Sequence, residues 1–151
     1  DRAKILKRLG PDPLGEKADS QLAIDRMGKS KQAIGALLLD QKVLCGVGNV
    51  YRAEALFVCG IHPSRLGLAL SHAELQMLWD TVVAMLRQGV QDNRIITVGP
   101  EHLAQTKGRR FSRGEATFVY HRDRCLRCVT PIHTVELAGR PCYLCPTCQQ
   151  R

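Results

Sequence analysis

The residues best equipped for chemistry lie at the end of the chain. Five of the seven cysteines fall in the last twenty-seven residues, "CLRCVTPIHTVELAGRPCYLCPTCQQR". Cys125-x2-Cys128 and Cys145-x2-Cys148 are separated by sixteen residues. Two such pairs at this spacing point to zinc: each pair sets two sulfurs on one side of a tight turn, and two turns close a tetrahedron. Four filled positions argue for a structural ion, not a catalytic one. Such a site contributes roughly 10–16 kcal/mol of apparent binding free energy, enough to fold a small hairpin. Cys142 also forms a C-x-x-C with Cys145, so the register is ambiguous. Cys125, Cys128, Cys145 and Cys148 are preferred, because Cys142 lies too far back to share the second turn.

A second spacing imitates an enzyme. His72-Ala73-Glu74 and Pro141-Cys142-Tyr143-Leu144-Cys145 match the H-x-E and P-C-x-x-C of zinc deaminases. Glu74 is better explained as a helix cap, and the match would leave Cys125, Cys128 and Cys148 without a role. His62, His121 and His133 have no partner at ligand spacing and read as surface or packing residues. Cys45 and Cys59 read as small buried residues, since no base or activating neighbour marks either as a nucleophile.

A third stretch, "CGVGNVYRAEALF" (45–57), carries two glycines and an asparagine directly before an apolar-faced helix. Gly46 and Gly48 permit positive φ and close approach of another backbone. Asn49 opens the helix, where free amides favour an anion such as a phosphate. Asn49 as an ordinary N-cap explains the same pattern. On the residues alone both readings stay open.

The elements that must position these groups are mainly helical. Residues 1–20 contain "GPDP", which blocks a helix, and read as a connector leading in from an absent upstream part. Apolar spacing predicts helices over Gln21–Met27, about Lys31–Leu39, and Asn49–Val58. The Asp40–Gly48 connection is long enough for two turns. Gly60 should stop the third helix. Ser71-His72-Ala73-Glu74 is a capping box opening a fourth helix that runs to about Gln91. Residues 93–117 have little periodicity and carry Lys107, Arg109, Arg110 and Arg113; they read as a basic flexible linker. "ATFVYHR" (116–122) predicts a strand, and "HTVELAG" a hairpin arm turning at Ala138-Gly139.

The chain carries 22 Lys and Arg against 14 Asp and Glu, a net +8. Residues 94–151 hold ten basic and four acidic groups, a net +6, so the excess sits in the cysteine-bearing half. That asymmetry suggests a polyanionic partner. No run of eighteen apolar residues and no secretory signal pattern occurs, so the reading is intracellular, in the cytoplasm at the bacterial nucleoid.

"LGPDPL", "LLLDQKVLCGVGNVYRAEALFVCGIHP" and "CLRCVTPI…RPCYLCPTCQ", in that order, resemble the formamidopyrimidine-DNA glycosylase and endonuclease VIII family. The resemblance implies a helix-two-turns-helix bundle over 21–92 followed by a zinc-bound β-hairpin finger over 118–151, mainly α with a small β part. It implies that Asn49 and Arg140 contact phosphates flanking a flipped-out nucleotide, with Gly46 and Gly48 beside them. It implies the same four zinc ligands; Cys142 falls where a threonine is usual. Three departures stand out. Val129 replaces a frequent glycine, the Tyr120–Cys125 approach is about two residues short, and 93–117 lacks the Gly-Gly-Thr pattern of the formamidopyrimidine branch. The last favours the endonuclease VIII side.

Family enzymes attack the sugar through an N-terminal proline on a β-sandwich domain, and Asp1-Arg2 is not that terminus. The expectation is therefore a monomeric, DNA-binding C-terminal region of a base-excision repair glycosylase and AP lyase. It would bind damaged duplex DNA with one structural Zn2+, be inactive by itself, need an N-terminal catalytic domain, and offer the 93–117 linker to repair partners. Two alternatives compete: a zinc-containing RNA-binding module and a zinc-stabilised protein-binding module. The +6 tail and the Asn49 loop argue against the second.

Overall fold

A computed structural model describes residues 9–92, 97–98 and 117–151. Among these, four α-helices precede one antiparallel hairpin: α1 (Ser20–Gly28), α2 (Ile34–Leu37), α3 (Asn49–Val58), α4 (His72–Asp92), β1 (His133–Leu137) and β2 (Arg140–Leu144). A short 3-10 turn, Gly67–Ala69, leads into α4. No described helix is long and apolar enough to cross a membrane.

The helices bury one continuous core. Ala23, Ile24 and Met27 of α1, Ile34 and Leu37 of α2, and Leu75, Leu78, Trp79 and Val82 of α4 close around Ala53, Leu56 and Phe57 of α3. Side chains three and four apart share one helix face, so each sequence stripe becomes one wall of this core. The caps are local. Asp19 Oδ1 accepts from Leu22 N, opening α1. The Ser71 hydroxyl accepts from Glu74 N at 3.1 Å, and Glu74 Oε1 accepts from Ser71 N at 3.0 Å, so the capping box closes in both directions. α3 ends in a Schellman motif: Gly60 (φ +68°) donates to Phe57 O, and Ile61 N donates to Leu56 O.

Two expected elements differ. The helix expected over about Lys31–Leu39 shrinks to Ile34–Leu37. The amides of Ile34 and Gly35 donate to Arg65 O and Pro63 O, and Ala33 bridges Leu66. A neighbouring loop has taken the bonds that an earlier helical turn would need. The strand expected over "ATFVYHR" does not form among its described residues, 117–122; 117–121 forms bends and a turn. Phe118, Val119 and Tyr120 all donate their amides to one carboxylate, that of Glu54, at 2.6, 2.9 and 3.2 Å. Three consecutive N–H groups converging on one acceptor cannot form the alternating ladder of a sheet.

The hairpin turns where expected. Leu137 pairs with Arg140, and Ala138 and Gly139 both take positive φ, +57° and +74°. This is the primed two-residue turn whose twist matches paired strands. The segment 10–15 does not simply lead in. Gly10 N donates to Gln41 O, and Cys45 N donates to Pro11 O, which packs "GPDP" against the loop before α3. The basic stretch 99–116, with Lys107, Arg109, Arg110 and Arg113, lies outside the described residues.

Candidate functional site

The sulfurs of Cys125, Cys128, Cys145 and Cys148 lie within 4.8 Å of one another. Cys128 Sγ stands 3.4 Å from Cys145 Sγ and 3.6 Å from Cys148 Sγ. Four thiolates around one tetrahedral zinc, each at about 2.3 Å, would stand about 3.8 Å apart, so this donor set fits such an ion. Each knuckle closes alike: Val129 N donates to Cys125 O, and Gln149 N donates to Cys145 O, both at 2.9 Å. The Cys148 amide donates to Cys145 Sγ, and Cys128 Sγ lies 3.1 Å from the Thr130 hydroxyl, so both sulfurs have polar neighbours of the kind that orient metal-bound side chains.

Cys142 is excluded from this cluster. It sits on β2 opposite Val135, fully buried, and burial pushes its thiol up to about 11. His72 and Glu74 are also elsewhere: His72 contacts Gln21, and Glu74 pairs with Arg65 at 2.8 Å. His62, His121 and His133 take no part in the cluster. Cys45 and Cys59 are half-buried and bonded to Gly10 O and the Thr81 hydroxyl. Burial raises both thiols, the opposite of what a nucleophile needs.

Val129 adopts φ +66°. The first knuckle therefore imposes a left-handed conformation on a β-branched residue, at the position where the family resemblance puts glycine.

The helix that starts in "GVGNV" makes several attachments to the C-terminal part of the chain. At its N-terminus, Asn49 Nδ2 donates to Pro141 O at 3.0 Å. One turn on, Arg52 is fully buried, and no carboxylate pairs with it among the described residues. Its Nη1 donates to Gly35 O (3.0 Å) and Leu137 O (2.8 Å). Its Nη2 donates to Asn49 Oδ1 (2.6 Å) and Arg140 O (3.2 Å). Nε has no partner. Burial lowers the Arg52 pKa, with nearby Arg140 acting in the same direction.

Mid-helix, Glu54 is fully buried and takes the three amides of 118–120 and the Thr97 hydroxyl. Burial raises its pKa while those donors pull against it. At the C-terminal end, Phe57 stacks on Phe118 with centroids 5.0 Å apart, and the Arg127 guanidinium lies 4.7 Å over the Phe57 ring. Beyond the helix, buried Gln149 joins Cys145 N to Ile61 O.

Asn49 is the first helical residue, not the N-cap; Gly48 holds that position, and no side chain caps it. The amides of the first turn therefore have no side-chain acceptor from the cap. Gly46 has positive φ (+84°), as expected. Gly48 does not: its φ of −96° and ψ of −179° are extended, open to any residue. A Cβ at Gly48 would meet no atom within 4 Å. The described residues thus give no reason for glycine there. Arg140 is exposed and its side chain makes no hydrogen bond or ion pair with the described residues.

Arg52 and Glu54 were missed in the sequence. Both sit in "NVYRAEALFV", where apolar residues at helical spacing predicted burial of one face. A charged residue flanked by alanine on the buried side of a short helix was the available signal.

Residues 9–99 match the family model described as the formamidopyrimidine-DNA glycosylase H2TH domain. The chain is 41% identical over 149 residues to Endonuclease 8 1 of Mycobacterium tuberculosis, covering 97% of the chain and 55% of that protein. It is 36% identical over 152 residues to formamidopyrimidine-DNA glycosylase of Geobacillus kaustophilus, covering 99% and 54%. The fold is similar to that of Lactococcus lactis formamidopyrimidine-DNA glycosylase bound non-covalently to DNA containing an AP site. That match has a TM-score of 0.76 and 27% identity, over 99% of this chain and 53% of the other. The chain thus spans about half the length of the relatives it matches.

Proposed function

Because the chain belongs to the formamidopyrimidine-DNA glycosylase and endonuclease VIII family, we propose that it is the DNA-gripping region of a base-excision repair glycosylase and AP lyase. Its role is to hold the backbone of damaged duplex DNA. Base release and strand cleavage belong to a catalytic domain outside these 151 residues, and the chain alone excises nothing. The carrying observation is the bond from Asn49 Nδ2 to Pro141 O. It brings the N-terminus of α3, where amides face outward, against the strand that carries Arg140. An N-terminal helix turn favours an anion, and Arg supplies a charge-assisted fork to a phosphate.

Gly46 and Gly48 belong to the same surface. The open space around Gly48 leaves room for a nucleic-acid backbone. The metal is one structural Zn2+ on Cys125, Cys128, Cys145 and Cys148. When bound, it would lock the two knuckles and so fix Arg127 in the first knuckle and Arg140 on the hairpin; it takes no part in the chemistry. Identity of 41% to an endonuclease 8 and 36% to a formamidopyrimidine glycosylase supports the endonuclease VIII side. The 21–92 bundle, the 93–117 basic linker and the 118–151 finger then form one monomeric clamp, with the linker available to DNA or repair partners inside the cell.

Fluorescence anisotropy with a labelled duplex tests this. Affinity should fall steeply with salt, because each neutralised phosphate releases counterions. Asn49→Ala and Arg140→Ala should each weaken binding across sequences. Wild-type affinity in both variants would reject the grip. Borohydride treatment with abasic DNA should trap no covalent adduct, and a trapped adduct would place a nucleophile within these residues.

A further inference from the structure

A side-chain amide presents a different face depending on which way it is flipped. Asn49 has one acceptor, Oδ1, and two Nδ2 protons. One proton goes to Pro141 O, and the described residues offer no acceptor for the other. Arg52 Nη2 stands 2.6 Å from Asn49 Oδ1. A guanidinium only donates, so it admits only an acceptor at that place. If the Asn49 amide flipped, its NH2 would face the Nη2 protons, and Oδ1 would face the Pro141 carbonyl oxygen. Both contacts would become repulsive.

The remaining Arg52 bonds explain why it can enforce this. Three of its four hydrogen-bonded protons go to backbone carbonyls: Gly35 on α2, Leu137 at the end of β1 and Arg140 at the start of β2. These are fixed points of two different units, and the two hairpin carbonyls flank the Ala138-Gly139 turn. A Cβ at Gly35 would stand 2.7 Å from Leu137 Cδ1, so the hairpin packs directly against the α-carbon of Gly35. Among the described residues the guanidinium has no carboxylate that could draw it away, and it is fully buried. A buried cation satisfied by carbonyl dipoles is a costly device for simple packing, since an apolar side chain of similar volume would fill the space.

We propose that Arg52 is a positioning residue for the phosphate grip: it fixes the flip of the Asn49 amide so that an Nδ2 proton faces the DNA, and it ties that amide to the backbone of Arg140. The proposal rests on the reading of Asn49 and Arg140 as phosphate contacts. Arg52 itself touches no phosphate.

The test uses the full chain with its metal, and four variants: Arg52→Gln, Arg52→Lys, Asn49→Ala and Arg140→Ala. Glutamine can accept at the Arg52 position and so permits the flip, whereas lysine still only donates. Metal content and thermal melting first establish that each variant is folded. Arg52→Gln should weaken duplex binding about tenfold with the salt slope unchanged, because no phosphate contact is lost. Arg52→Lys should recover most of that loss, and it carries the test if the glutamine variant fails to fold. Arg140→Ala should reduce the slope by about 0.9, as one lost phosphate contact requires. The Arg52→Gln and Asn49→Ala effects should not add, so that the double variant binds no more weakly than the weaker single.

Three results overturn the proposal: wild-type affinity in folded Arg52→Gln, full additivity in the double variant, or a slope that drops by about 0.9 on changing Arg52. Should Asn49→Ala and Arg140→Ala both bind like wild type, the phosphate grip itself fails and this inference falls with it. Should they weaken binding while Arg52→Gln does not, only the role of Arg52 is lost.

Discussion

Asn49 and Pro141 lie ninety-two positions apart and are joined by one hydrogen bond of 3.0 Å from Nδ2 to the carbonyl oxygen. The bond connects the opening of α3 to the hairpin that leads into Cys145 and Cys148. Around it, ten residues of α3 hold the rest of the finger through Arg52, Glu54 and Phe57. The helix that meets the proposed phosphate is therefore the helix that sets where the finger stands.

Metal removal should separate the two halves. Chelation is expected to unfold 118–151 while α1 to α4 keep their structure, because most of the shared apolar cluster comes from residues 23–86. Cys142→Ser should retain one zinc per chain, and Cys145→Ser should lose it. Metal analysis together with hydrogen exchange reads both. Zinc retained by Cys145→Ser at full occupancy would reject the four-sulfur assignment.

Gly48 and Gly46 should behave oppositely on substitution. Gly48→Ala meets open space at an ordinary φ, so it should leave stability unchanged or raise it by about 0.4–1 kcal/mol. It should nevertheless weaken DNA binding by obstructing the approaching backbone. Gly46→Ala forces a Cβ into φ +84° and should cost about 1–2 kcal/mol. Melting curves and anisotropy together separate the effects. Unimpaired binding by Gly48→Ala would show that glycine there serves no DNA contact.

Glu54→Gln should destabilise the chain by about 3 kcal/mol, since a buried carboxylate taking charge-assisted bonds is replaced by an amide whose NH2 faces donors. For a chain of this size that lowers Tm by roughly 6–12 °C. Amides 118–120 should lose protection first. A change in Tm below a degree would mean the amides find other acceptors.

Val129→Gly should stabilise the first knuckle. A left-handed β-branched residue costs about 1–2 kcal/mol, and glycine gives back about 0.5–1 kcal/mol through chain entropy. The net gain should raise Tm by a degree or two and slow metal release to a chelator. Faster release in Val129→Gly would contradict the strain.

How much was legible in the sequence follows from the range of each interaction. The capping box at Ser71, the helical stripe of α3, the stop at Gly60 and the turn at Ala138-Gly139 are decided by residues within one or two turns, and these appeared where their patterns put them. The two CxxC pairs were equally legible, because ligand spacing is a local property of each knuckle. The strand expected over 116–122 and the full helix expected over 31–39 failed for one shared reason. Their backbone donors are claimed by distant acceptors: Glu54 in the first case, the carbonyls of Pro63 and Arg65 in the second. Alternation and periodicity carry no record of such partners.

By itself, then, the sequence determined the helical patterning, the four cysteines that cluster, the basic tail and the family. Only the tertiary structure decided that Asn49 is a helix's first residue with its amide orientation held by Arg52, that Gly48 is glycine without a conformational need, and that Glu54 organises 118–120. Spacing patterns record neighbours along the chain. A buried guanidinium or carboxylate is stable only against donors and acceptors that folding brings in from far away, so its role is legible only once those partners are in place.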